Sequence, residues 1–93
     1  MLTPETITPE TLNAATPEER TEAFETCAAL WYGTTRFGPR ITADFAVSRS
    51  ALFAWKRNNA TPHAVILALA AWLETREIKQ LLLSFQRIVG NQN

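Results

Sequence analysis

Gly38-Pro39-Arg40-Ile41-Thr42-Ala43-Asp44-Phe45-Ala46-Val47-Ser48-Arg49-Ser50-Ala51-Leu52-Phe53-Ala54-Trp55 reads as two short amphipathic helices meeting at a turn. Pro39 has its φ angle preset for a first helical turn and opens the first of them. Ile41 and Phe45 are spaced by four and Leu52 and Trp55 by three, so each pair shares one face of its helix, with Val47 lying between the pairs. Ser48 has the hydroxyl that an N-cap needs, which predicts a second helix from Arg49 to about Arg57. Asn58-Asn59 tolerates the left-handed conformation that ends a helix.

Outward from this stretch the chain keeps using helix-start chemistry. The phrase Thr-Pro-Glu occurs at Thr3-Pro4-Glu5, Thr8-Pro9-Glu10 and Thr16-Pro17-Glu18. Each offers a Thr cap, a Pro at the first helical position and an acid at the positive end of the dipole. Thr16 also has Glu19 three residues on, a capping box. Ala23, Phe24, Cys27, Ala28, Leu30 and Trp31 follow at helical spacing, which predicts a helix from about Pro17 to Tyr32, closed by Gly33. Residues 1–15 read as an N-terminal arm or a short helix from Pro9 to about Asn13, ahead of a main domain over 16–93. Downstream, Thr61-Pro62 repeats the Thr-Pro device, and no Gly or Pro interrupts His63 to Val89. That segment is one long helix or two broken near Glu74 to Glu77. No window alternates with period two and no hairpin dipeptide occurs, so the expected class is all-α, a small helical bundle.

A chain of 93 residues, 46% of them hydrophobic, with three Trp and five Phe, has the composition of one globular domain. Its lone Cys27 cannot form an internal disulfide and stands far in sequence from the lone His63, so neither a metal nor a redox site is indicated. Cys27 falls in an apolar helical pattern and reads as core; His63 reads as an exposed polar residue. No Ser/His/Asp set, paired acids or Gly-rich phosphate loop is evident, and the expectation is a protein that is not an enzyme and carries no cofactor. No signal-like N-terminus and no long uncharged apolar run appear, which predicts a cytoplasmic protein with no membrane partner.

The zero net charge divides along the chain. Through Tyr32, six glutamates stand against Arg20 alone, a balance of −5. From Gly33 on, eight Lys and Arg stand against Asp44, Glu74 and Glu77, a balance of +5. Such asymmetry marks either a surface that faces nucleic acid or two halves that pair with each other.

The two-helix stretch resembles the DNA-binding helix-turn-helix of the Cro and phage-repressor family over about twenty residues. In that family small residues let two short helices cross steeply at a tight turn. Thr42 and Ala46 take the small positions here, in place of the more usual Ala and Gly, while Ile41, Phe45, Val47, Leu52 and Trp55 take the apolar ones. The resemblance implies a recognition helix whose start enters the major groove of double-stranded DNA. Ser48, Arg49, Ser50, Phe53 and Ala54 then face base edges, with Arg49 suited to a bidentate contact to guanine. Phe53 either touches a thymine methyl or packs on the Pro17 helix or on a second subunit. Arg36, Arg40, Lys56 and Arg57 flank the motif and suit phosphate contacts, or form an ordinary solvated basic face.

The final segment is richer in apolar residues than one narrow stripe needs. Leu81, Leu82, Phe85, Ile88 and Val89, with Leu83, either cover the core of the bundle or meet a partner, and a two-fold homodimer through the C-terminal helix is the simplest closed solution. The combined expectation is a sequence-specific transcriptional regulator of bacterial or phage-infected cells. It would be a repressor binding an inverted repeat as a homodimer, with no small-molecule ligand indicated. Its Gly-Pro-Arg entry and Val-Ser…Trp core are similar to those of anti-CRISPR-associated autorepressors. The competing class is a helical protein-interaction module or antitoxin-like adaptor whose apolar C-terminal helix binds a different protein.

Overall fold

The computed structural model describes residues 2–90, and over them the chain is helical without strands. A 3-10 turn at Pro4–Thr6 leads into five α-helices: α1 (Pro9–Ala14), α2 (Pro17–Tyr32), α3 (Gly38–Phe45), α4 (Arg49–Asn58) and α5 (His63–Gly90). None of them is long and apolar enough to cross a membrane.

All three Thr-Pro-Glu phrases start a helical element. The Thr3 amide donates to Thr6 Oγ1 at 3.0 Å, and the Thr8 amide to Thr11 Oγ1 at 2.8 Å. At α2 the box is reciprocal: Thr16 Oγ1 accepts from the Glu19 amide at 3.1 Å, and Glu19 Oε1 accepts from the Thr16 amide at 2.9 Å. These hydrogen bonds hold the Glu19 carboxyl below its ordinary pKa, the Thr16 amide contributing most. Gly33, at φ 71°, closes α2 in the left-handed conformation, where a Cβ is disfavoured.

The fourth Thr-Pro behaves differently. α5 begins at His63, and its third and fourth amides, Val65 at 3.1 Å and Ile66 at 3.5 Å, donate to the Pro62 carbonyl. Thr61 lies one step further back, buried at 5% exposure, with its hydroxyl unpartnered. Core packing has drawn the Thr61 side chain inward, away from the amides it was expected to cap. His63 is half-buried.

The core is built from α2 against the first half of α5, joined by Ile41 of α3. Phe24, Cys27 and Ala28 meet Ile66, Leu69 and Ala70 there. Burial raises the Cys27 thiol pKa to about 11, with a smaller contribution from Glu5, as expected of a packing thiol. Ile7 and Leu12 belong to the same core, so the segment before residue 16 is part of the bundle and no free arm. Leu30, grouped with the core by its spacing, is instead half exposed.

α5 is a single uninterrupted helix. Its first half is packed, but from Glu74 onward every described residue is exposed. The apolar C-terminal residues do not fold back over the core: Leu81 is 67% and Phe85 63% exposed. The molecule is accordingly elongated, 57 × 29 × 18 Å.

Candidate nucleic-acid interface

The basic stretch is organised by its turn. α3 ends at Phe45, and Ala46 takes the left-handed conformation, φ 53° and ψ 41°, while its amide bonds back to the Thr42 carbonyl. The Val47 amide reaches the same carbonyl at 3.2 Å. Ser48 then caps α4, its Oγ accepting from the Ala51 amide at 3.0 Å. Only Ala46, Val47 and Ser48 separate the helices, and Asn59, at φ 51°, closes α4 one residue beyond Asn58.

Aromatic contacts fix this pair of helices on the bundle. Phe45 stacks on Trp72 of α5 at 5.2 Å, and Trp72 in turn lies 5.5 Å from Trp31. Trp55 and Phe37 both meet Phe24 of α2 edge-on, at 6.1 and 5.7 Å. The Tyr32 hydroxyl donates to Asp44 Oδ2 at 2.7 Å, tying the end of α2 to α3. Partial burial and then the Asp44 carboxylate hold the Tyr32 pKa well above its ordinary value.

The residues expected at base edges share the outward side of α4. Ser48, Arg49, Ser50 and Phe53 are exposed and Ala54 is half-buried, while Leu52 and Trp55 turn inward. Phe53 is 67% exposed and therefore does not pack down on α2. It stands at the edge of a shallow groove between α2, the start of α3 and α4, with Arg49 and Lys56 along the rim.

The expected phosphate anchors divide into two groups. Arg36 in the loop, Arg40 on α3 and Arg57 at the end of α4 are exposed. Lys56 stands 4.0 Å from Glu25 of α2, its side chain largely in solvent and that of Glu25 nearly half exposed, a contact of small energetic value. It is the sole ion pair among the described residues, so the acidic and basic parts of the chain are not joined there by a salt-bridge network.

Two arginines serve the fold instead. Arg76 lies over the Trp31 ring at 5.1 Å and donates to the Leu30 and Trp31 carbonyls at 3.1 and 3.2 Å, satisfying the C-terminal end of α2. Arg20 donates to the Leu12 and Ala15 carbonyls and does the same for α1. No spacing rule finds the Arg76 contact, since its acceptors lie 45 and 46 residues away.

Searches against protein-family models, curated proteins and solved structures find no match to the chain.

Proposed function

We propose that this chain is a sequence-specific DNA-binding regulator of transcription, in which α3, the Ala46 turn and α4 act as a helix-turn-helix. The observation that carries this reading is the left-handed Ala46 turn followed by a Ser-capped helix. The start of that helix presents Ser48, Arg49 and Ser50 to solvent while Leu52 and Trp55 anchor it. Such an arrangement sets the beginning of a rigid helix, with its unpaired amides and one arginine, against a groove of DNA.

Arg49 is the residue for base reading, since a guanidinium can bridge guanine O6 and N7 and is worth roughly 1–3 kcal/mol of discrimination. Arg36, Arg40 and Arg57 supply phosphate contacts, with Lys56 joining them by leaving its weak contact to Glu25. With no net charge on the whole chain, affinity rests on this local face. The exposed second half of α5 supports a homodimer, which would present two reading helices to an inverted repeat and act as a repressor by occluding a promoter.

A gel shift with genomic fragments of the source organism tests the reading. Wild type is expected to select an inverted repeat with salt-sensitive affinity, and Arg49→Ala to lose about tenfold or more at that site. Absence of any salt-sensitive preference overturns it. The exposed stripe of α5 would then favour the alternative, a helical module that binds another protein.

A further inference from the structure

The second half of α5 is not a continuation of the face that packs on the bundle. Ile66, Leu69, Ala70 and Leu73 define the core-facing row, and helical repetition carries that row on to Glu77, Gln80, Ser84 and Arg87, all polar and exposed. The apolar residues stand about a third of a turn round the helix. Ile78, Leu81, Phe85 and Ile88 are spaced three, four and three apart, the a and d positions of a heptad seam, and Leu82 and Val89 widen it. A seam that leaves the bundle's own packing face just where the bundle ends is built for another helix.

We infer that this seam pairs with the same seam of a second copy, and that the two α5 helices run antiparallel. Three observations select this occupant and direction. The exposed apolar side chains of the seam, from Ile78 to Val89 without the outward Leu83, amount to about 600 Å² per copy, the lower end of what a stable interface buries on each partner. The three-four-three spacing reads the same in reverse, so an antiparallel pair sets Ile78 against Ile88 of the second copy and Leu81 against its Phe85. Each large ring then meets a smaller side chain, whereas parallel pairing would stack Phe85 on Phe85. Parallel pairing would also carry the seam back to the preceding d position, where Glu74 would face its own copy; the antiparallel pair sets the two Glu74 side chains at opposite ends.

The pairing deepens the DNA-binding reading and rests on it for its purpose, though its geometry is independent of DNA. The Phe45–Trp72 stack places the α3–α4 turn at the level of Trp72. The antiparallel pair is centred at position 83, so at 1.5 Å per residue the two turns lie about 33 Å apart along the helix axis. Half-sites one helical turn apart are separated by about 34–36 Å.

Cysteine cross-linking in the full chain tests the inference, with buried Cys27 left in place. Ile78→Cys/Ile88→Cys is expected to become a covalent dimer on mild oxidation, while Ile78→Cys and Ile88→Cys alone stay uncrosslinked. Both replaced residues are exposed, and circular dichroism confirms that the variants fold. Self-linking of the single variants would establish parallel pairing and overturn the proposal. A dimeric mass by light scattering with no cross-link in the double variant overturns this register, and a monomeric mass at high concentration overturns the pairing altogether. DNA binding is scored separately by gel shift, so failure of one reading is distinguishable from failure of the other.

Discussion

Replacing Ala46 by Gly is expected to stabilise this protein, and the sign of the effect is diagnostic of the turn. Ala46 sits at φ 53° and ψ 41°, where an L-residue with a Cβ costs roughly 1–2 kcal/mol relative to glycine. Glycine gives part of this back by adding about 0.5–1 kcal/mol of backbone entropy to the unfolded chain. The net gain is about 0.5–1 kcal/mol, which in a domain of this size raises Tm by roughly 2–8 °C. Urea unfolding followed by tryptophan fluorescence reads it, since Trp31, Trp55 and Trp72 all pack in or beside the core. If Ala46 instead lay within a continuous α3–α4 helix, the same substitution would destabilise by about 0.5–1 kcal/mol. A lowered urea midpoint for Ala46→Gly therefore refutes the turn and with it the interface built on it. Ala46→Val provides the opposite control, because a β-branched residue is strained further at positive φ and is expected to cost more than 1 kcal/mol.

Ser48→Ala removes the acceptor of the Ala51 amide and is expected to cost about 1 kcal/mol in urea unfolding, while Ser48→Asp keeps the cap and most of the stability. Thr61→Val replaces a buried, unpartnered hydroxyl by a methyl of the same shape, so the urea midpoint should rise by the equivalent of about 1 kcal/mol; a fall would show that the hydroxyl has a partner in solution. Cys27 links stability to alkaline pH. Its thiol pKa rises in the fold from an ordinary 9.0 to about 11, so the folded state favours the neutral form. That contribution is whole below pH 9.0 and is lost as the pH climbs through about 11; at pH 8 a thiol reagent should label native protein far more slowly than urea-unfolded protein. Rapid labelling of the native form would contradict the burial.

Much of the fold is legible because its signals are local. A Thr, a Pro and an acid within three or four residues start α1 and α2, Gly33 stops α2, and Ser48 and Asn59 bracket α4, each acting on amides or carbonyls within one turn. The outward set Ser48, Arg49 and Ser50 follows equally from spacing, once Leu52 and Trp55 are assigned to the inner face. The same local chemistry misleads at Thr61, where burial decides the direction of the side chain and the proline carbonyl takes over as acceptor. Leu30 shares the helical spacing of the core yet stays exposed, because which side of α2 is covered depends on the path of α5.

By itself the sequence determined an all-α chain, the ends of α2 and α4 and the residues on the outer side of α4, since periodicity and capping involve only near neighbours. Tertiary structure alone decided that residues before position 16 join the core and that Arg76 caps α2. It also decided that α5 runs unbroken out of the bundle with its apolar seam uncovered. These depend on contacts between residues tens of positions apart, and no spacing along the chain encodes which distant surfaces will meet.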